Sequence, residues 1–190
     1  MTEFEFIFVL YALVLGLSLV ELLSGFGRTL ENEFETEAQD KRFKIGLLTP
    51  LLGVFVLLDL LSFWIFAWAI RDIVSVSSPM LLGVIAFASA YYLAARLVFP
   101  TKPERFQDLD THYYRVRRTV MGILIALVLL QWAYLFSVPE IGERLLNPFN
   151  ISLTVLFIAM MAAAMVFRDK RIQTFLLIAL SARYLFLYLI

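Results

Sequence analysis

Hydrophobic residues occur along this chain in long, nearly uncharged runs rather than at the short periods of a soluble protein. Six runs have about the 20 residues that a helix needs to cross a bilayer, and charged or proline-containing connectors separate them. They cover about residues 4–26, 45–70, 80–99, 119–138, 149–167 and 172–190. One such run can be a buried core helix, but six in series predict an all-α transmembrane bundle forming one domain.

Composition supports this reading and narrows the chemistry. Hydrophobic residues make up 62% of the 190 and charged residues 17%, whereas soluble domains have about 45–50% and about 25%. The zero net charge indicates no nucleic-acid partner. Without cysteine and with His112 as the one histidine, no cofactor or metal is expected. The acidic start, Met1 to Glu5, differs from a secretory signal, so the first run is read as a true span.

Lysine and arginine are unevenly divided between the two sets of connectors. The connectors after runs one, three and five carry Arg28, Lys41, Arg42, Lys44, Lys102, Arg105, Arg115, Arg117, Arg118, Arg168, Lys170 and Arg171, against Arg71 and Arg144 on the other side. Because basic connectors stay in the cytoplasm, both termini are predicted to lie outside.

Ionisable residues inside the apolar runs are the first candidates for function, since each costs about 2.5–3.5 kcal/mol at the bilayer centre. Asp59 lies fifteen residues after Lys44, and Arg183 lies twelve after Arg171. At about 1.5 Å per residue both are roughly 18–22 Å from the cytoplasmic edge. We predict that spans two and six touch and that Asp59 pairs with Arg183, either for function or only to fix helix register.

A second pair is predicted nearer the cytoplasmic edge. Glu21 shares a face of span one with polar residues and is expected to contact Arg96, supported by Tyr92. Alternatively, Arg96 extends to the headgroups and Arg28 competes for Glu21.

Polar residues in the outer half form a further candidate set. Gln131 and Tyr134 share a face of span four. With Asp59, Ser62 and Arg183 they are expected either to line a small cavity or to serve as interhelical hydrogen bonds.

The most distinctive connector runs from Asp108 to Arg118. Its aromatic and basic residues predict a short interfacial helix on an anionic leaflet, with a phosphate or nucleotide site as the alternative. These residues are Tyr113, Tyr114, Arg115, Arg117 and Arg118. On span five, Ala159-x-x-x-Ala163 permits close helix approach, either within the chain or at an oligomer seam.

Two of these stretches, Leu17–Arg28 and Tyr113–Arg118, resemble those of small, uncharacterised six-helix inner-membrane proteins of bacteria. The resemblance implies a bacterial plasma membrane. It implies no activity and no site residue.

Three functions are compatible with these features. The first is a small ion or proton channel or transporter, acting as an oligomer and using Asp59, Arg183 and Glu21, although no broken-helix pair of the secondary-transporter kind is visible. The second is a non-catalytic subunit or sensor that binds a membrane protein or lipid through its cytoplasmic loops, including the acidic run Glu31 to Asp40. A membrane-embedded enzyme ranks last, because no catalytic constellation is visible.

Overall fold

The computed structural model describes residues 3–38, 43–71, 77–137 and 147–189. The predicted all-α class is confirmed: six of the helices are long and apolar enough to span a membrane. They are α1 Glu3–Ala38, α2 Leu48–Ala69, α3 Ser78–Val98, α4 Leu109–Phe136, α5 Pro148–Val166 and α6 Lys170–Leu189. A 3₁₀ turn, Pro103–Arg105, joins α3 to α4. The described residues are compatible with a multi-pass integral membrane protein.

Two helices continue beyond the spans that hydropathy predicts. α1 has 36 residues, about 54 Å at 1.5 Å each, and includes much of the acidic segment that was read as a connector. Glutamate, leucine and alanine favour helix, so the fall in hydropathy marks the edge of the span and not the end of the helix. Asp40, Lys41 and Arg42 lie outside the described residues.

α4 begins ten residues before the span predicted from residue 119, at Leu109. The segment from Asp108 to Arg118 was expected to be a separate interfacial helix, and this was wrong: it forms the N-terminal cap and first turns of α4. Asp108 caps the helix by accepting a hydrogen bond from the Asp110 N–H at 2.8 Å. The helix then continues without interruption into the predicted span.

α2 occupies the centre of the bundle. It contacts α1, α3, α4 and α6, while α5 packs against α4 and α6. Phe99 lies between two glycines of neighbouring helices: a Cβ at Gly25 would lie 2.7 Å from the Phe99 Cβ, and one at Gly53 would lie 2.9 Å from its Cζ. These glycines allow α1 and α2 to approach the same ring closely.

The three connectors that carry most of the basic residues meet at one end of the bundle, called here the basic end. Lys44 donates its N–H to the Gln107 carbonyl at 3.0 Å and accepts from the Leu109 N–H at 3.1 Å. The Asp110 carboxylate accepts from the Leu48 N–H at 3.0 Å and lies 2.5 Å from the Lys170 ammonium. Asp110 therefore joins the starts of α2, α4 and α6.

Gly46 is required by this junction. Its φ of 68° is in the left-handed region, and a Cβ there would lie 2.4 Å from an Asp110 carboxylate oxygen. A side chain at position 46 would therefore conflict both with its own backbone and with the carboxylate.

Candidate functional site

Asp59 lies in the middle of α2 and is completely buried. Its Oδ1 accepts a hydrogen bond from the Tyr184 hydroxyl of α6. Its Oδ2 has no hydrogen-bond partner among the described residues. A buried carboxyl with a single close donor is energetically costly as an anion, so Asp59 is a candidate proton-binding group.

Tyrosines from three other helices surround Asp59. Their hydroxyls donate to backbone carbonyls of α2 on either side of it: Tyr91 to Val56, Tyr188 to Leu58 at 2.8 Å and Tyr11 to Phe63 at 3.3 Å. Ser62 donates to the Asp59 carbonyl at 2.7 Å. Four hydroxyl groups therefore lie around the carboxyl, and each of them donates a hydrogen bond to a backbone carbonyl of α2.

A cavity of about 180 Å³ adjoins this carboxyl, lined by residues of α2, α4, α5 and α6. Four of the five residues expected to line one polar cavity do so: Asp59, Ser62, Gln131 and Arg183. Tyr134 does not, because it faces an apolar groove between α1, α2, α3 and α4. Gln131 borders both spaces, and Thr154 of α5 joins the polar lining.

The predicted ion pair between Asp59 and Arg183 is wrong. Spans two and six do touch, as expected, but it is Tyr184 that faces Asp59. Arg183 precedes it by one residue, a rotation of about 100° around the helix, and its guanidinium lies 4.2 Å from the centre of the Phe157 ring on α5. Both side chains line the same cavity, as their similar depth implies, but the rotation of α6 directs Tyr184 to the carboxylate and no salt bridge joins Asp59 to Arg183.

Between Asp59 and the basic end, the side chains on the Asp59 face of α2 are apolar. On α2 they follow the same face at positions four, seven and eleven residues before Asp59: Phe55, Leu52 and Leu48. They are fully buried, as are Leu124 of α4 and Leu177 of α6. The cavity thus ends on an apolar plug.

The predicted contact between Glu21 and Arg96 is confirmed. Arg28 reaches the same oxygen, Oε1, at 3.3 Å, so the competing partner adds to the pair and does not displace it. Arg96 also donates to the Thr101 hydroxyl at 3.2 Å, and its side chain is 35% exposed. Tyr92 makes no hydrogen bond to this group within the described ranges; its neighbour Tyr91 is the one that is buried.

The aromatic and basic residues of the connector face different surroundings. Tyr113 and Arg117 are buried, contrary to the interfacial reading, and bind the end of α5 and the start of α6. Arg117 donates to the Ala164 carbonyl at 2.6 Å and to that of Phe167. Since the last carbonyls of a helix have no partners within it, the guanidinium satisfies the end of α5 and its partial negative charge.

Three further side chains complete this cap. Tyr114 donates to the Arg168 carbonyl at 2.9 Å, and Arg118 donates to that of Met165 at 3.2 Å. Gln173 donates to Ala164 at 3.0 Å and accepts from the Tyr113 hydroxyl. Arg115 differs from Arg117 and Arg118 in that it does not bind the end of α5: its guanidinium lies 5.5 Å from the Phe106 ring centre.

The sequence did not point to the residues that bond Asp59 and its helix or to those that bind the end of α5. Tyr184 and Tyr188 are one helical turn apart next to Arg183, and this spacing was the available signal. Gln173 and Asp110 gave none: Gln173 is a single polar residue at the start of the sixth apolar run, and Asp110 is one of several polar residues in a connector.

These features give the class: an α-helical bundle compatible with a multi-pass membrane protein, with a buried carboxyl at mid-bundle. No family model, curated protein or solved structure matches this chain. The resemblance to bacterial six-helix proteins and the bacterial inner membrane therefore stay predictions. Among the described residues, no three His, Cys, Asp or Glu side chains group closely enough to hold a metal ion.

Proposed function

We propose that this protein is a small, gated proton transporter in which Asp59 binds the proton. The observation that carries the proposal is a fully buried carboxyl with one donor, one unpartnered oxygen and an adjoining polar cavity. Ionisable residues inside membrane proteins most often serve ion or proton pathways. A purely structural carboxyl would be expected to have all of its hydrogen bonds satisfied.

The apolar plug favours a gated transporter over an open channel. A continuous proton path needs polar groups or space for water along its length, and the face of α2 toward the basic end offers leucine and phenylalanine. In this proposal the conformation described here exposes Asp59 to the polar cavity, and a second conformation opens the plug. Oligomer formation, with the Ala159 surface as a candidate seam, remains part of the proposal.

Proton flux into liposomes tests it. The purified full chain is reconstituted with a trapped pH-sensitive dye, and a potassium gradient with valinomycin drives protons inward. Wild-type protein should acidify the lumen faster than empty liposomes. Asp59→Asn keeps the side-chain size and should lower the protein-dependent rate at least about 100-fold, the lower end of what one positioned proton-transfer group contributes.

Glu21→Gln is the matched control, because it also neutralises one intramembrane carboxylate. Glu21 is engaged by two arginines, so its variant should retain most of the flux. Wild-type protein that moves no protons at any pH, or an Asp59→Asn protein as active as wild type, would refute the proposal.

A further inference from the structure

A second, larger cavity lies at the basic end and plays no part in the proton site. It has a volume of about 760 Å³ and lies between the end of α3, the 3₁₀ turn and the start of α4. Four cationic side chains line it: Arg96, Lys102, Arg105 and Arg115. The carboxylate in the lining, Asp108, is already used to cap α4. These four cations outnumber the nearby carboxylates even when Glu21, which pairs with Arg96, is counted beside Asp108.

Neighbouring residues hold several of the lining groups in place. Arg96 is fixed by Glu21 and by Thr101, and Arg115 lies over the Phe106 ring. His112 is buried, with its Nε2 3.1 Å from the Leu97 carbonyl oxygen. Preorganised cations lose less conformational entropy on binding an anion than free surface side chains do.

The cavity combines these cations with an apolar wall where the membrane span ends. Phe99, Pro100 and Phe106 contribute to its lining, and Phe99 is the last residue of the third predicted span. Arginine is suited to phosphate because its planar group donates two parallel hydrogen bonds. A phosphate at this depth would meet cations on one side and apolar groups on the other.

From this juxtaposition we infer that the cavity binds a phosphate-bearing anion, either the headgroup of an anionic phospholipid or a soluble phosphate compound. The inference is independent of the proton site, so Asp59→Asn protein should bind the anion as wild type does.

Lipid titration of the purified full chain tests it. Binding of dioleoyl phosphatidylglycerol, with phosphatidylcholine as the uncharged comparison, is followed by native mass spectrometry in detergent. The double variant Arg105→Gln, Arg115→Gln should weaken phosphatidylglycerol binding about 25-fold, because each cation near an anionic lipid contributes about fivefold. Lys102→Gln, at a separate position, should weaken it about fivefold and tests the site again if the double variant is unstable.

Arg171→Gln is the matched control, since it removes the same charge from an exposed residue at the same end but outside the cavity. A second arm adds inorganic phosphate or glycerol phosphate. Displacement of the lipid by these ions, or their direct binding, assigns the site to a soluble phosphate compound; retention assigns it to the lipid headgroup. The inference is overturned if neither ligand class binds, or if Arg171→Gln weakens binding as much as the cavity variants do.

Discussion

Removing the arginine that caps α5 should destabilise the protein by an amount that depends on Gln173. Arg117 and Gln173 donate to the same two carbonyls, those of Ala164 and Phe167. Each hydrogen bond to a charged group contributes about 1.5–3 kcal/mol, so Arg117→Met gives up about 3–6 kcal/mol. Release of the guanidinium from a buried site offsets part of this, and Gln173 keeps both carbonyls partnered. We expect a net loss of about 2 kcal/mol.

The double variant Arg117→Met, Gln173→Met should lose more than the sum of the single changes. With both donors gone, the buried Ala164 carbonyl and the part-buried Phe167 carbonyl lose their side-chain partners, and an orphaned buried group costs about 1–3 kcal/mol. A coupling free energy of at least about 1 kcal/mol follows. The Tyr113 hydroxyl loses its acceptor in both the single and the double Gln173 variants, so that loss cancels in the cycle.

Unfolding in dodecyl maltoside micelles, driven by added dodecyl sulfate and followed by circular dichroism, gives the four free energies. Arg118→Gln is the comparison for burial: Arg118 also donates to a carbonyl at the end of α5, that of Met165, but it is exposed, so its removal should change stability by under about 0.5 kcal/mol. Additive single and double losses would refute the shared-carbonyl argument. Equal losses for Arg117→Met and Arg118→Gln would refute the burial argument.

Three glycine substitutions test close approaches by the same unfolding assay. Gly46→Ala should cost at least about 1–3 kcal/mol, because φ is 68° and the new Cβ would lie 2.4 Å from an Asp110 oxygen; an unchanged midpoint would contradict this. Gly53→Ala should cost about 1–3 kcal/mol by crowding the Phe99 ring tip, and Phe99→Leu, which removes that tip, should recover part of the loss. Gly25→Ala crowds the Phe99 Cβ instead, so Phe99→Leu should not rescue it, and equal rescue of both would show that the contacts are misassigned.

The sequence alone determined the class of fold, the number of spans and the approximate depth of each charge. Transfer of a 20-residue apolar segment into lipid depends on that segment's own composition. Depth follows from the fixed rise per residue of a helix. For these reasons the six helices and the Glu21–Arg96 contact, which needs only matching depth and long side chains, were predictable.

Hydropathy was less informative about helix ends and connector roles. It reports where a helix leaves the membrane and not where its hydrogen bonds stop, so the extensions of α1 and α4 were not foreseen. The positive charge of Arg117 predicts contact with an anionic leaflet, because the sequence shows that charge and not the groups that surround it. The carbonyls that it satisfies belong to α5, 47 residues away, and only the folded chain brings them together.

Tertiary structure decided which face of each helix meets which neighbour. A rotation of one residue, about 100°, exchanges Arg183 for Tyr184 as the partner of Asp59. That rotation is fixed by the packing of α6 against α2 and α5, where rings such as Phe55 and Phe157 contact Tyr184. Position along a helix is a local property of the chain and rotation is a collective one, so the middle of an apolar span was predictable for Asp59, while the assembled bundle surrounded it with tyrosines.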